Sequence, residues 1–531
     1  MAEAVAVNVM GVRSKPVAQK RPFRLGFWLF IVAAALIAAV ATLAFDAYSG
    51  MIGIIGHKDE IVQNAAARII KVPPGGNVQA AIENATSGDI VELQAGAVYS
   101  GTVTLPKRPL TEFVTIRSSS AVDLPADKRV SPAQRLLMAT ITSGTLSRPA
   151  LMTENGAHHY RFVGIEFGPT TKGNFNIVQI GSAEETSIED IPHHIEFDRV
   201  YLRGHASVGQ RRGIAANGKF IKITNSYFAD FKRDSEESQA IAVWGADGPI
   251  EITNNYIEAA AEGILFGGAE SKLGIIPGNA VIRNNWFNKP VEWRDAKWVV
   301  KNHLEIKSGR NIKIENNLMT NNWAMAQEGT AVLFRTGEDS GKNAIVADIE
   351  FSNNIVRGAS SAVNIFGGEG QGGHRLTIRN NIFEDISAKK WGGRGFFIKS
   401  TTWDGVVVEN NTVMNDGSIT VSYGDPVKGF VFRNNIVSHN EYGFFGDGVG
   451  PGRVAIAKYF LRPVITDNLL IGGNAAEYGP ANQYPGSVAQ IGFSNAAAGD
   501  YRLRPDSRYL KKGQNVVQVG AELDPKTVGG S

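Results

Sequence analysis

The residues with the most chemical potential recur at one place in five short apolar stretches: "AIAVWGAD" from 240, "HLEIKSG" from 303, "AVLFRTG" from 331, "AVNIFGG" from 362 and "FFIKST" from 396. Each alternates apolar and variable residues, the period of a strand with one buried face. With Leu304 and Ile306 inward, Glu305 and Lys307 point outward. The same two columns then hold Leu333 and Arg335, Asn364 and Phe366, Phe397 and Lys399, and further back Ala242 and Trp244. Lys307, Arg335 and Lys399 form a cationic strip with Trp244 and Phe366 as aromatic platforms, and Glu305 and Asn364 line the same groove. Such a strip suits an acidic sugar chain, because guanidinium and ammonium groups bind carboxylates. The plain alternative is a solvated strand face, on which Glu305 pairs with Lys307 or Arg335 for less than about 1 kcal/mol.

Other candidates are weaker. His158 with His159 and His193 with His194 precede successive coils, and imidazole is a common metal ligand. No spaced carboxylate or cysteine completes a set, so they read as structural corners and no metal site is assigned. Hydrolysis of a glycoside needs two carboxylates across a sugar ring. Asp234, Glu236, Glu270, Glu338 and Asp447 are available, but spacing singles out no pair. The glycines of "DSGKNA" and "GGEGQGGHR" follow no strand-to-helix phosphate pattern. The chain has no cysteine, which removes disulfides, thiolate nucleophiles and cysteine metal sites together.

The elements that must position these residues are copies of one unit. "IKIENNLM" at 312 returns as "IEITNNYI" at 250, "AVIRNNWF" at 280, "IEFSNNIV" at 349, "LTIRNNIF" at 376, "VVVENNTV" at 406 and "FVFRNNIV" at 430. Asparagine tolerates left-handed backbone torsions, so the pair suits a sharp corner after a strand. Aligned asparagines on stacked coils also form amide ladders. With the second set of apolar stretches, this predicts two short strands per coil and an all-β parallel β-helix of about ten or more coils, by the logic of stacked repeats. "GGNVQAAIENATSGDIVELQ" predicts a short capping helix with Val78, Ala81 and Ile82 on one face. The solenoid is expected over 70–500, and 501–531 is expected to close its far end or pack along the outside.

The N-terminus is different material. Arg13, Lys15, Lys20, Arg21 and Arg24 precede an uncharged run from Leu25 to Phe45, long enough to cross a bilayer as a helix. A cleaved signal is the competing reading, since Ala39 and Ala41 offer a small-x-small site, but its apolar stretch is normally shorter. The expected organisation is a cytoplasmic tail over 1–24, an anchor over 25–45, a linker over 46–69 and an exterior domain, periplasmic or extracellular. The formal charge is +3. The first 24 residues carry five basic groups and Glu3, a net +4, which leaves −1 for the rest. No global basic field exists for nucleic acid.

The cap "VPPGGNVQAAIENATSGDIVELQAGAVYSGTVTLP", the coils "HHYRFVGIEF" and "HHIEFDRVYLRG", and "WVVKNHLEIKSGRNIKIENNLMTNNWA" together resemble a bacterial family of right-handed parallel β-helix proteins in the pectate-lyase-like superfamily. A narrower likeness lies in "KSGRN" from Lys307 and "LFRTG" with Arg335. It resembles the Lys-Ser-x-x-Asn and Leu-x-Arg-x-Gly pair of β-helical lyases of the chondroitinase B and alginate lyase type. The resemblance implies that Lys307 removes the proton next to a uronate carboxylate while Arg335 stabilises the developing charge or protonates the leaving oxygen. A lysine acts as a base at neutral pH only when neighbouring cations lower its pKa, a push expected here from Arg335 and Lys399. Calcium is possible by the same resemblance, although only Glu305 stands near the lysine among upstream acids. The expectation is a monomeric, membrane-anchored β-helix that binds or cleaves an acidic polysaccharide by β-elimination, with Glu305, Asn364, Phe366, Lys399 and Trp244 contacting the chain. The alternatives are a non-catalytic glycan-binding scaffold and, third, a glycoside hydrolase or uronate epimerase.

Overall fold

Each coil is built from three strands rather than two. The computed structural model describes residues 67–144, 148–168, 175–511 and 517–530. The expected tail and anchor lie outside these, as does most of the expected linker, and the first strand starts at Ile69. Among the described residues no helix is long and apolar enough to cross a membrane. Three parallel sheets, of 15, 13 and 12 strands, run the length of the stack. The first holds the strands that lead into the asparagine pairs, such as Ile250–Thr253 and Gly309–Glu315. The second holds the strands that leave them, such as Tyr256–Ala259 and Leu318–Asn322. The third holds Gln239–Val243, Glu262–Phe266, Asn302–Ile306, Thr330–Arg335, Ser361–Phe366 and Ile398–Thr401.

The extra strand escaped the sequence reading because the corner before it is only the asparagine pair. In each pair the first asparagine takes the left-handed conformation (Asn254 at φ 56°, Asn316 at 55°, Asn353 at 58°), so the chain turns and is extended again at once. The second asparagine is buried and forms a ladder. Asn255 Nδ2 donates to Asn285 Oδ1 at 3.0 Å, Asn285 to Asn317 at 3.0 Å, Asn317 to Asn354 at 2.9 Å and Asn354 to Asn381 at 3.2 Å, continuing to Asn482. The backbone N–H of each also donates to the next Oδ1, as from Asn285 to Asn317 at 2.9 Å. Inside, Ile252 aligns with Ile282, Ile282 with Ile314 and Ile314 with Phe351, so the core is a set of apolar columns.

The first helix, Val78–Asn84, buries Val78, Ala81 and Ile82, and the Asn77 side chain accepts from Ala80 N at 3.0 Å. It supplies the expected cap. At the other end helix Arg453–Tyr459 packs on strand Phe444–Gly446. The C-terminal segment runs along the outside. Gly520 N donates to Asn434 O at 2.7 Å, Glu522 N to Asn380 Oδ1 at 2.8 Å and Gly529 N to Asn316 O at 2.8 Å, so it runs back over the asparagine corners. Val519, Ala521, Leu523 and Val528 pack there against Ile355, Ile382 and Ile436.

Candidate functional site

The register of the third sheet fixes which side chains are neighbours. Glu305 aligns with Leu333, Leu333 with Asn364 and Asn364 with Lys399. Arg335 aligns with Phe366 in the adjoining column. Lys399 therefore belongs to the Glu305 column, not to the Lys307 column where a count from the apolar residues puts it. Loop lengths differ between coils, and a shift of two residues changes the column without disturbing the alternation.

A cleft of about 400 Å³ lies over these columns, lined by Asn302, Leu333, Arg335, Asn364, Phe366 and Lys399, with Gln327, Glu328, Glu369 and Tyr423 from loops and the next coil. Its cations are paired with acids. Arg335 lies 3.0 Å from Glu369 and Lys399 2.7 Å from Glu328. The expected cationic strip is thus a row of ion pairs without net charge. Each cation also lies over an aromatic ring, Arg335 at 5.1 Å from the Phe366 centroid and Lys399 at 5.4 Å from that of Tyr423. Asn302 Oδ1 and Asn364 Oδ1 are buried and accept no hydrogen bond among the described residues. Trp244 does not line this cleft and is covered by the Arg212 guanidinium at 4.9 Å.

The loop carrying Gln327 and Glu328 is held by packing. Trp293, Trp298, Trp323 and Trp391 form a separate buried cluster with Ala260 and Val300, and Ala324 N donates to Trp391 O at 3.0 Å. Two larger hollows exist elsewhere, one beside the cap at Gly75–Gln79 and one over the exposed corners near Asn380 and Glu522. Neither brings buried charges together, as the smaller cleft and its surroundings do.

Beside it lies a buried ionic cluster. Lys301 Nζ is 2.6 Å from Glu262, 2.7 Å from Glu237 and 3.3 Å from Glu305. Lys307 Nζ is 2.7 Å from Asp339 and 3.9 Å from Glu305. Glu305 is only 1% exposed, so it is not the solvated surface partner that alternation implies. Burial pushes its carboxyl up to about 7, the Glu262 charge adds to the push, and Lys301 and Lys307 offset only part of it. Three carboxylates share one ammonium, and the most distant of them is held least firmly. Burial of Lys301 is outweighed by Glu262, Glu305 and Glu237, which hold its ammonium above the usual range.

Lys307 departs from its expected role. Burial alone would lower its pKa, but the Glu305 charge and the hydrogen bond to Asp339 prevail, and the pKa lies above the ordinary lysine value. The cations expected to depress it are engaged elsewhere, Arg335 with Glu369 and Lys399 with Glu328. Lys307 does not line the cleft, whereas Arg335 does. Calcium does not fit between Glu237, Glu262 and Glu305 beside the cleft, because the Lys301 ammonium already occupies the position these carboxylates share.

Sequence reasoning missed Glu262, Lys301, Asp339, Glu328 and Glu369. Glu262 had one signal: it is a charge at the first position of a third-sheet strand, where other coils carry Gln239 and Asn302. The others sit on loops of variable length and carried none.

Residues 212–450 match the family model described as a right handed beta helix region. This chain carries a right-handed β-helix. Among solved β-helices it is similar to the PL6 family alginate lyase AlyGC, at 14% identity over 87% of this chain and 58% of that one, with a TM-score of 0.45. A mannuronic acid specific polysaccharide family 6 lyase from human gut microbiota is 12% identical over 83% of this chain and 92% of that one, with a TM-score of 0.45. The GH87 α-1,3-glucanase of Streptomyces thermodiastaticus is 11% identical over 76% of this chain and 69% of that one, with a TM-score of 0.49. No curated protein matches the β-helix at the level of sequence. These likenesses are of fold.

Proposed function

We propose that the β-helix holds an acidic polysaccharide in the cleft between Asn302 and Tyr423 and acts on it by β-elimination. The observation that carries this reading is the placement of two cations, Arg335 and Lys399, each over an aromatic ring in one walled cleft with the unbonded Asn302 and Asn364 oxygens. A uronate carboxylate would displace Glu369 or Glu328 from its cation, a sugar ring would lie against Phe366 or Tyr423, and sugar hydroxyls would donate to the asparagines.

For turnover, the geometry favours an exchange of roles. Arg335, in the cleft lining, suits stabilisation of the negative charge that develops on the substrate carboxylate when the adjacent C–H is broken, and Lys307, held protonated beside the cleft, adds to the local positive charge. Glu305, pushed up to about 7 beside the cleft, suits proton transfer once substrate entry uncovers it. The basic tail and the apolar run over 25–45 favour an exterior domain held at a membrane. Such a domain would meet polysaccharide at the cell surface.

The test is the absorbance of the unsaturated uronate product when the full-length chain, purified in detergent, meets alginate, pectate and glycosaminoglycans. A rise lost in Glu305→Gln and in Arg335→Ala establishes elimination and names the polysaccharide. No rise, with binding that is lost in Arg335→Ala and Lys399→Ala, leaves a glycan-binding scaffold. Absence of both removes the proposal.

A further inference from the structure

Far from the cleft, two coils place four histidines together. Strands His158–Val163 and His193–Asp198 are neighbours in the first sheet, with His193 aligned to His158. The second histidine of each pair has left-handed torsions, His159 at φ 61° and His194 at φ 54°. That breaks the strand alternation, so two consecutive imidazoles meet instead of pointing to opposite faces. Within each pair Nδ1 faces Nδ1 at 2.7 Å. Between coils the rings stack, His158 on His193 with centroids 4.6 Å apart and His159 on His194 at 4.5 Å. Phe113 and Phe220 close the His159–His194 stack on its two sides, at 5.4 and 4.4 Å.

Nothing else in the described residues hydrogen-bonds these rings. A structural histidine ordinarily gives its ring N–H to a carbonyl or carboxylate. These instead direct ring nitrogens at one another, and ligand atoms of His158, His159 and His193 lie within 4.8 Å of one another. We infer that the His158, His159, His193 and His194 tetrad binds a divalent transition cation of the zinc, copper or nickel class. An all-nitrogen set selects this class over calcium or magnesium, which take oxygen ligands.

The fit needs rotation of the rings, because stacked imidazoles hold their in-plane lone pairs parallel rather than convergent. Zinc with nitrogens at about 2.0–2.1 Å in a tetrahedron sets neighbouring nitrogens about 3.3 Å apart. The pair spacing therefore opens and the spacing between coils closes, changes available to rotation of half-exposed side chains.

The test uses the full-length chain without a histidine tag, stripped of metal and titrated with zinc alone against a competing chelator, with cobalt and copper as spectroscopic probes. One zinc per chain at micromolar or tighter affinity is expected, with cobalt absorption and copper resonance showing nitrogen ligands. The double variant H159F/H194F extends the Phe113–Phe220 stack while removing two ligands, and should weaken zinc binding at least 100-fold at an unchanged metal-free melting temperature. If that variant misfolds, H158Q/H193Q carries the same expectation. No zinc binding by the parent chain up to millimolar concentration, or binding unchanged in a folded variant, overturns the assignment.

Discussion

The Lys301 ammonium lies 2.6 Å from the Glu262 carboxylate, and both groups are withdrawn from water. This contact organises the cluster beside the cleft, because Glu237 and Glu305 reach the same ammonium from other directions. Taking one partner from a buried ionic set leaves uncompensated charge. Lys301→Met should therefore cost about 3–5 kcal/mol of stability at pH 8. Without the ammonium, which holds the Glu305 pKa down, Glu305 keeps its proton to higher pH in the folded chain, so the loss should shrink at pH 5. Urea unfolding at both pH values measures the difference, and an equal loss at each would mean that Lys301 acts through packing alone.

Glu305 gives stability its own pH dependence. Its folded pKa is pushed up to about 7 by burial first and by the Glu262 charge second, whereas an unfolded glutamate titrates near about 4.3. Between these values the folded chain binds the extra proton, so the Glu305 contribution favours folding at low pH and is lost as pH rises through the window. Glu305→Gln removes that slope. Relative to the parent chain, the variant should be more stable at pH 8 than at pH 5, as read from paired denaturation curves.

The two asparagines of a corner should respond differently. Asn317 is fully buried and hydrogen-bonded to both neighbouring coils. Asn317→Ala removes several such bonds and leaves buried partners unmet, a loss of about 2–4 kcal/mol. Asn316 supplies mainly the left-handed torsion, so Asn316→Gly should change stability by less than about 1 kcal/mol. Thermal or urea unfolding of both variants decides, and comparable losses would remove the ladder as the dominant contribution.

Much of the solenoid was legible because its signal is periodic: Ile252, Ile282 and Ile314 mark one inward column, and the asparagines mark the corners. The strand after each corner was not, since a two-residue corner leaves no loop to read. Arg335, Asn364 and Phe366 were correctly placed side by side in adjoining columns, but Lys399 slipped by a column. The charge state of Lys307 was illegible because it depends on Asp339 and Glu305, and Asp339 sits on a turn whose path follows from packing rather than pattern. Burial of Glu305 escaped notice for a similar reason, since strand alternation assigns a side chain to a face without saying what covers that face.

The acids in the cleft make the sharpest prediction for binding. Glu369 and Glu328 neutralise Arg335 and Lys399, and an incoming uronate must replace them. Glu328→Gln with Glu369→Gln removes the competitors and leaves both cations in place over Phe366 and Tyr423. Affinity for the acidic polysaccharide identified by the binding panel should rise about tenfold, equivalent to about 1.4 kcal/mol. The gain should fall with added salt, since the freed cations are partly exposed and screened. Calorimetric titration of both chains at low and high ionic strength measures this. Unchanged affinity would place the sugar carboxylates away from Arg335 and Lys399, whereas weaker binding would mean that Glu328 or Glu369 itself accepts hydrogen bonds from the sugar, as expected of a neutral glycan.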